Sequence, residues 1–348
     1  MLKSIVQRGK VALGIVCTLA MLGSLGACSN SAPQSAGGDS SANKKILVIP
    51  KYTGLKYFDV SGDGAKEEGE KLGLDVQYIG TQDATANAQI QTITNAIAQR
   101  PAAMVVSAID ENAVTPILKK AQSQGIKVVT YDADADSSAR TIFVNQLSYE
   151  LAARTMLDSA LKNDPNGGLV AFISASPSAT NHRKHVEWMK KLIDTDAKYS
   201  KLKYVDTVQY SQDDATKSEE ISRNLMQAHP DLKFIISSSV PTTAAAANAI
   251  ENAGKQGQVF APGFSMPSSM SHFVEDGTIK AFCLWDPAQL GAVSVAVADQ
   301  LVQGKITGKK GETVKVDGIG EFTIGDNGEL NVDKPLTFTK DNISQYDF

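Results

Sequence analysis

The sequence predicts an α/β protein of two lobes, each a parallel sheet flanked by helices. Three observations predict it. Short apolar, β-branched runs alternate with helical spacings along the chain. The alternation runs once as far as Asn145 and then begins again. The 348 residues also exceed what a single core fills, because cores stop growing at roughly 250–300 residues.

The amino terminus stands apart from this pattern. Lys3, Arg8 and Lys10 precede an apolar run from Val11 to Leu25, followed by Gly26, Ala27 and Cys28. That is the charged, apolar and small-residue order of a secretory signal, too short for a spanning helix. Leu25 to Cys28 resembles the bacterial lipoprotein box, in which the cysteine becomes the lipidated first residue of the mature protein. A plain secretory signal with an incidental cysteine is the alternative. Residues 28–43, rich in Ser, Gly and Ala, read as a flexible tether. Removal of residues 1–27 leaves 31 Lys and Arg against 38 Asp and Glu, a net charge near −7, which is a poor footprint for nucleic acid. Cys17 leaves with the signal and Cys28 is the anchor, so Cys283 stands alone and no disulfide forms within the mature chain.

The first series opens with Ile46 to Pro50, a continuous apolar run suited to a strand buried on both faces. Lys51 follows where that strand ends. Tyr57 and Phe58 fall in a Gly-containing loop, and helical spacing begins at Asp59. Val76 to Ile79 is a strand, and Ala86 to Arg100 a helix with Ile90, Ile93 and Ile97 on one face. Ala103 to Ala108 is a strand, Val114 to Gln124 a helix stopped by Gly125, and Ile126 to Tyr131 a strand ending at Asp132. Thr141 to Val144 leads to Asn145.

The second series repeats the order. Helices are expected over Tyr149 to Leu161, Asn181 to Ile193, Lys217 to Ala228 and Thr243 to Ala253, with strands over Gly168 to Ser174, Lys203 to Val208, Phe234 to Ser237 and Val259 to Phe264. Ile279 to Leu284 is a strand ending at Trp285, Asp286 and Pro287, and Gln289 to Val302 is a helix. Phe322 to Ile324 and Leu336 to Phe338 read as short strands around a turn at Gly325 to Gly328.

Strand ends gather Lys51, Tyr57, Phe58, Asp132, Asn145, Asn181, His182, Arg183, Trp285 and Asp286. In an open α/β sheet ligands sit at the carboxyl ends of strands. Aromatic faces beside Asp, Asn, Lys and Arg suit a small polyhydroxylated molecule. Taken singly, each has a plainer reading, the Asp as a cap and the Trp as core; their shared placement favours a ligand. Asp132, Asp134 and Asp136 imitate the start of a calcium loop, but Ser137 and Phe143 replace the required Gly and Glu. His182 and His185 share a helical face without a third metal ligand in register. No P-loop, dinucleotide fingerprint or nucleophile elbow occurs. No catalytic residue, cofactor or metal is therefore expected.

From Lys44 to Phe348 the chain resembles the periplasmic sugar-binding proteins of ABC importers, in the branch that binds rhamnose and autoinducer-2. The motifs are Ile49-Pro50-Lys51 with Tyr57-Phe58, Ser107-Ala108, Thr130 to Asp134, Asn145-Gln146, Ser176 to Asn181, Gly263 to Pro267, Leu284 to Asp286 and the closing Lys340 to Phe348. The resemblance implies two Rossmann-like lobes with parallel sheets, a three-crossover hinge (the type I periplasmic binding protein fold) and closure upon ligand. It implies crossovers near Asn145, Trp285-Asp286 and Val316 to Gly320, with residues 44–145 plus 287–316 in one lobe and 146–286 plus 317–348 in the other. Lys51 and Asp132 match polar ligand contacts of the autoinducer-2 binders. Asn181-His182 replaces their Asp-Gln, and Ser238-Ser239-Val240 replaces their Pro-x-Ala. The Thr180-Asn181 pair, Pro267 to Met270 and Trp285 to Gly291 are closer to the rhamnose binders, and Ser265 replaces the aspartate of ribose-type proteins. The expected ligand contacts are thus Lys51, Tyr57, Phe58, Asp132, Asn181, His182, Ser238, Val240, Pro267, Trp285 and Asp286. The implied partners are a small sugar-like ligand and an ABC permease, for a monomer held outside the cytoplasm by a lipid on Cys28. A sugar-sensing repressor would need a basic helix-turn-helix ahead of Lys44, where this chain has a signal and tether. A secreted enzyme acting on a sugar is the remaining alternative.

Overall fold

Alternate residues of the first apolar run face opposite ways. In the computed structural model, which describes residues 43–348, both faces are covered. Strand β1 (Lys45–Ile49) sends Leu47 and Ile49 into a core with Ile93 and Leu118, while Ile46 and Val48 pack into the other core with Phe58 and Val129. Burial on both sides is why the run is apolar without alternation. The signal segment, Cys28 and the tether up to Ala42 lie outside the described residues. Among those described, no helix is long and apolar enough to cross a membrane.

The first lobe continues through α1 (Lys56–Leu72), β2 (Asp75–Tyr78), α2 (Ala86–Ala98), β3 (Ala103–Val106), α3 (Glu111–Ser123), β4 (Lys127–Tyr131) and β5 (Ile142–Asn145). The second holds α4 (Tyr149–Asn163), β6 (Gly168–Ser174), α5 (Thr180–Thr195), β7 (Leu202–Tyr204), β8 (Gln209–Tyr210), α6 (Ala215–Ala228), β9 (Leu232–Ser237), α7 (Val240–Asn252), α8 (Pro267–Glu275) and β10 (Ala281–Leu284). The chain then returns through α9 (Pro287–Val302), β11 (Thr313–Val316), β12 (Gly320–Thr323), β13 (Glu329–Asn331) and β14 (Leu336–Thr339).

The first sheet has the order β13-β5-β4-β3-β1-β2, with every pairing parallel. In the second lobe β6 is flanked by β7 and β9 in parallel register, and β8 pairs with its last two residues. The expected strand at Val259 to Phe264 is reduced to two bridges, Phe260 to Phe234 and Phe264 to Cys283. Pro262 lies between them and has no N–H to donate. Strand β14 closes that lobe antiparallel to β10.

Helix α9 packs on α1 backbone to backbone. A Cβ at Gly64 would lie 2.2 Å from the Ala288 carbonyl oxygen, and one at Gly291 would lie 1.9 Å from that of Ser61. Only glycine permits that approach, which holds Trp285 beside the first residues of α1.

Several expectations need correction. Tyr57 and Phe58 are not in a loop but in the first turn of α1, which begins at Lys56 with no side-chain cap to mark it in the sequence. The segment Val316 to Gly320 is the turn of the β11–β12 hairpin, not a crossover. The chain stays with the first sheet as far as Asn331, because β13 pairs with β5, and crosses to the second lobe only before β14. Residues 317–331 therefore leave the lobe in which the sequence reading put them. A three-residue strand carries too short a pattern to be read. Helix α8 has no counterpart in the expected elements.

Candidate functional site

The carboxyl ends of β1, β3, β4, β6, β9 and β10 face one cleft between the lobes, as the rule for open sheets requires. On the first lobe Lys51 lies just beyond β1, with Nζ 3.4 Å from Asp132 Oδ2 and both side chains buried. Asp132 accepts hydrogen bonds from Tyr57 OH (3.0 Å) and Ser107 Oγ (2.7 Å). Trp285 Nε1–H donates to the Tyr57 oxygen at 3.2 Å. The chain of donors thus runs from indole to phenol to carboxylate. Burial, reinforced by the Asp132 charge, pushes the Tyr57 phenol well above its usual range and keeps its proton in place.

Asp132 is placed by an unusual backbone. Its φ is +60°, and Ala133 N–H closes a three-residue turn onto the Tyr131 carbonyl at 2.6 Å. Asp tolerates the left-handed region better than most residues, and such strained positions concentrate at functional sites. Phe58 meets Tyr57 edge-on at 5.0 Å, and Trp285 meets Phe264 edge-on at 4.9 Å, so the aromatic rings are fixed by one another.

The second lobe contributes the start of α5 and the residues after β8 and β9. Asn181 reaches across the cleft: its Oδ1 accepts from Lys51 Nζ and its Nδ2 donates to the Asp132 carbonyl, both at 3.4 Å. His182 Nδ1 accepts from Ala175 N–H at 3.3 Å, so the neutral ring carries its proton on Nε2. Burial, with the Lys51 charge second, depresses the His182 pKa to about 3. Asp213, also left-handed at φ +58°, accepts from Ser239 Oγ at 2.5 Å and from Tyr52 OH of the first lobe at 3.2 Å.

The lobes are closed on each other. At their mouth Thr180 Oγ1 donates to Glu111 Oε2 at 2.7 Å, and Arg183 lies 3.9 Å from the same carboxylate. The space among Lys51, Tyr57, Asp132, Asn181, His182 and Trp285 is about 30 Å³, well below the roughly 150 Å³ of a cavity that takes a benzene ring. A second space of about 300 Å³ opens beside it at Tyr52, Thr85, Asp110 and Ser176. A ring-sized ligand therefore enters only when the lobes part.

Of the residues singled out in the sequence, Lys51, Tyr57, Phe58, Asp132, Asn181, His182, Ser238, Val240 and Trp285 all line the enclosed space. Pro267 and Asp286 do not. Pro267 is the buried first residue of α8, and the Asp286 carboxylate caps α9 by accepting from Ala288 and Gln289 N–H. Asn145 turns to Glu329 on β13, its Nδ2 donating at 2.9 Å. Leu55, His185, Asp213, Ser239 and Pro241 also line the space and were not foreseen there. His185 had a signal, three residues after His182 on one helical face, but it pointed only to a metal. Among the described residues the imidazole and carboxylate atoms that converge closely are those of Glu251, His272 and Asp276, away from the cleft.

Residues 46–306 match the family described as periplasmic binding protein domain. The chain is a periplasmic binding protein. The ribose import binding protein RbsB of Bacillus subtilis is 26% identical over 308 residues, spanning 85% of this chain and 94% of that one. A solute-binding protein of Clostridium phytofermentas, solved with bound L-rhamnose, is 29% identical with a TM-score of 0.82 over 87% of this chain and 98% of its own. LsrB of Clostridium saccharobutylicum, solved in complex with AI-2, is 26% identical with a TM-score of 0.81 over 87% and 100%. This periplasmic binding protein has their α/β fold of two parallel-sheet lobes. It is an extracytoplasmic solute-binding protein of the class that serves sugar ABC importers, and that class binds its solute without transforming it.

Proposed function

We propose that this protein captures a small, neutral, hydroxylated ring, a rhamnose-type sugar, and presents it in the closed form to the permease of an ABC importer. The observation that carries the reading is the buried array of Lys51, Asp132, Tyr57 and Trp285 facing Asn181 and His182 across the closed cleft. Sugar hydroxyls donate and accept at once, and this array offers both functions with aromatic edges beside them. Lys51, Tyr57, Phe58, Asp132 and Trp285 would hold the ligand from one side. Asn181, His182, Ser238 and Val240 would complete its shell on closure. The ligand would take over the Lys51 and Asp132 contacts that Asn181 makes in the closed form.

Charge narrows the class. One lysine stands against Asp132 and Asp213 in the lining, and the buried histidine is neutral. A carboxylate on the ligand would meet a net negative wall, so sugar acids are disfavoured. Asn181-His182 in place of Asp-Gln, and the buried Ser265 whose hydroxyl donates to the Val240 carbonyl at 3.1 Å, favour rhamnose over autoinducer-2 and ribose. The likeness to LsrB in fold, with Lys51 and Asp132 retained, keeps autoinducer-2 as the second reading. The protein would act as a monomer held to the membrane through lipidated Cys28.

A thermal-shift panel tests this with rhamnose, ribose, other pentoses and hexoses, a sugar acid and autoinducer-2. A ligand at a hundred times its dissociation constant adds about 2.7 kcal/mol of stability. The expected result is a clear shift with rhamnose or a near stereoisomer and none with the sugar acid. A shift with autoinducer-2 alone makes this a signal importer, and no shift with any sugar defeats the reading.

A further inference from the structure

A histidine that lines the cleft carries a buried ring nitrogen with no partner among the described residues. His185 lies one turn beyond His182 on α5, is 1% exposed and lines the enclosed space. Its Nδ1 is 3.1 Å from Ser238 Oγ, and its ring meets Tyr149 and Phe264 edge-on at 5.7 Å each. Its Nε2 is left without a hydrogen bond. Buried polar atoms are nearly always partnered, because leaving one unpaired costs about 1–3 kcal/mol.

Ser238 Oγ lies between His185 Nδ1 at 3.1 Å and Met156 Sδ at 3.9 Å, so Nδ1 is engaged and Nε2 is the ring nitrogen left for a ligand. A sugar hydroxyl both donates and accepts, and so pairs with Nε2 in either tautomer of the ring. His182 keeps its proton on Nε2. The two rings stand three residues apart on one helix, where side chains are neighbours.

We infer that His185 Nε2 hydrogen-bonds a ring hydroxyl of the bound ligand and, beside the His182 donor, sets which hydroxyl pattern the second lobe admits. This rests on the reading of the cleft as a site for a neutral hydroxylated ring. A ligand lacking that hydroxyl leaves Nε2 unpaired in the closed form, and a site built to pair a hydroxyl rejects the analogue that lacks it.

Titration calorimetry of the whole mature chain tests the assignment, using the sugar that gives the largest thermal shift and its monodeoxy analogues. His185→Phe keeps the ring packing and loses Nε2. His185→Asn keeps a polar atom near Nδ1, and His185→Gln keeps one near Nε2. The expected result is a loss of tenfold or more in affinity for His185→Phe and His185→Asn, with His185→Gln within about threefold of the native chain. One monodeoxy analogue should bind the native protein at least tenfold more weakly than its parent and lose that penalty in His185→Phe. Native affinity in His185→Phe, with weakening and a lowered melting temperature in His185→Gln, would show a packing role and overturn the inference while leaving the sugar reading intact. A native chain that binds no sugar overturns both. If His185→Phe does not fold, the deoxy comparison in His185→Asn decides alone: a penalty equal to the native one refutes the assignment.

Discussion

The two walls of the cleft differ in how complete they are. On the wall built around Asp132 the polar groups are bonded to one another: Trp285 donates to Tyr57, Tyr57 and Ser107 donate to Asp132, and Lys51 pairs with the same carboxylate. On the second lobe, among the described residues, His185 Nε2 has no partner and the Asn181 side chain bonds across the gap. A preorganised wall suits what all ligands of the site share, and an incomplete one suits what tells them apart. Substitutions in the two walls should therefore have different signatures.

The largest effect is expected at Asp132. Asp132→Ala leaves Lys51 charged and buried, with Tyr57 and Ser107 unpaired. Breaking a buried pair from one side costs about 3–5 kcal/mol of stability. Affinity should fall roughly tenfold to a hundredfold for every ligand, with their ranking unchanged. Urea unfolding and calorimetry on the same variant check both. A reordered ranking with intact stability would move specificity into the first wall and erase the contrast.

The second wall has a pH signature of its own. Burial, with help from Lys51, holds His182 near 3 and drives His185 well below its usual range. Unfolded histidine titrates near 6.5. Between these values the unfolded chain binds more protons than the folded one, so stability is full above about pH 7 and is lost as pH falls below 6.5. Both rings should lower stability at pH 5.5 relative to pH 7.5, His182 by on the order of 1 kcal/mol. Unfolding of the native chain and of a His182→Gln, His185→Gln double variant at the two pH values isolates that part. An equal loss in both would mean that the rings take up protons in place.

What could be read from the sequence follows the same division. Lys51 and Asp132 stand directly after strands whose unbroken apolar runs mark their own ends, so the sheet geometry makes them cleft residues without tertiary knowledge. Asp213 follows a two-residue strand and sits in a left-handed turn, and neither leaves a periodic trace. His185 was visible only as half of a helical pair, because its role depends on Ser238 and Phe264, 53 and 79 positions away in the chain. Pro267 and Asp286 illustrate the converse. Each belongs to a motif by which the sequence resembles sugar binders, yet the one begins a helix and the other caps one. A motif gives the neighbourhood of a residue, but not the direction of its side chain. The return of β13 to the first sheet was hidden for a simpler reason, since three residues cannot display a period.

The smallest effect should come from the contact that joins the walls without touching the enclosed space. Thr180 begins α5 and Glu111 begins α3, and their 2.7 Å hydrogen bond ties the two helix starts together at the mouth of the cleft. Thr180→Val keeps the side-chain shape and removes the donor. A hydrogen bond to a partly exposed carboxylate contributes on the order of 1 kcal/mol, so the closed form should lose about fivefold in population relative to the open one. Because the bond forms only on closure, the change should appear as faster ligand release with association unchanged. Stopped-flow fluorescence of Trp285, which is buried in the cleft and bonded to Tyr57, reports on that step. The ranking of ligands should not move, since neither residue lines the enclosed space. If it does move, closure and selection are one process, and the second wall discriminates through how far it closes rather than through the atoms it presents.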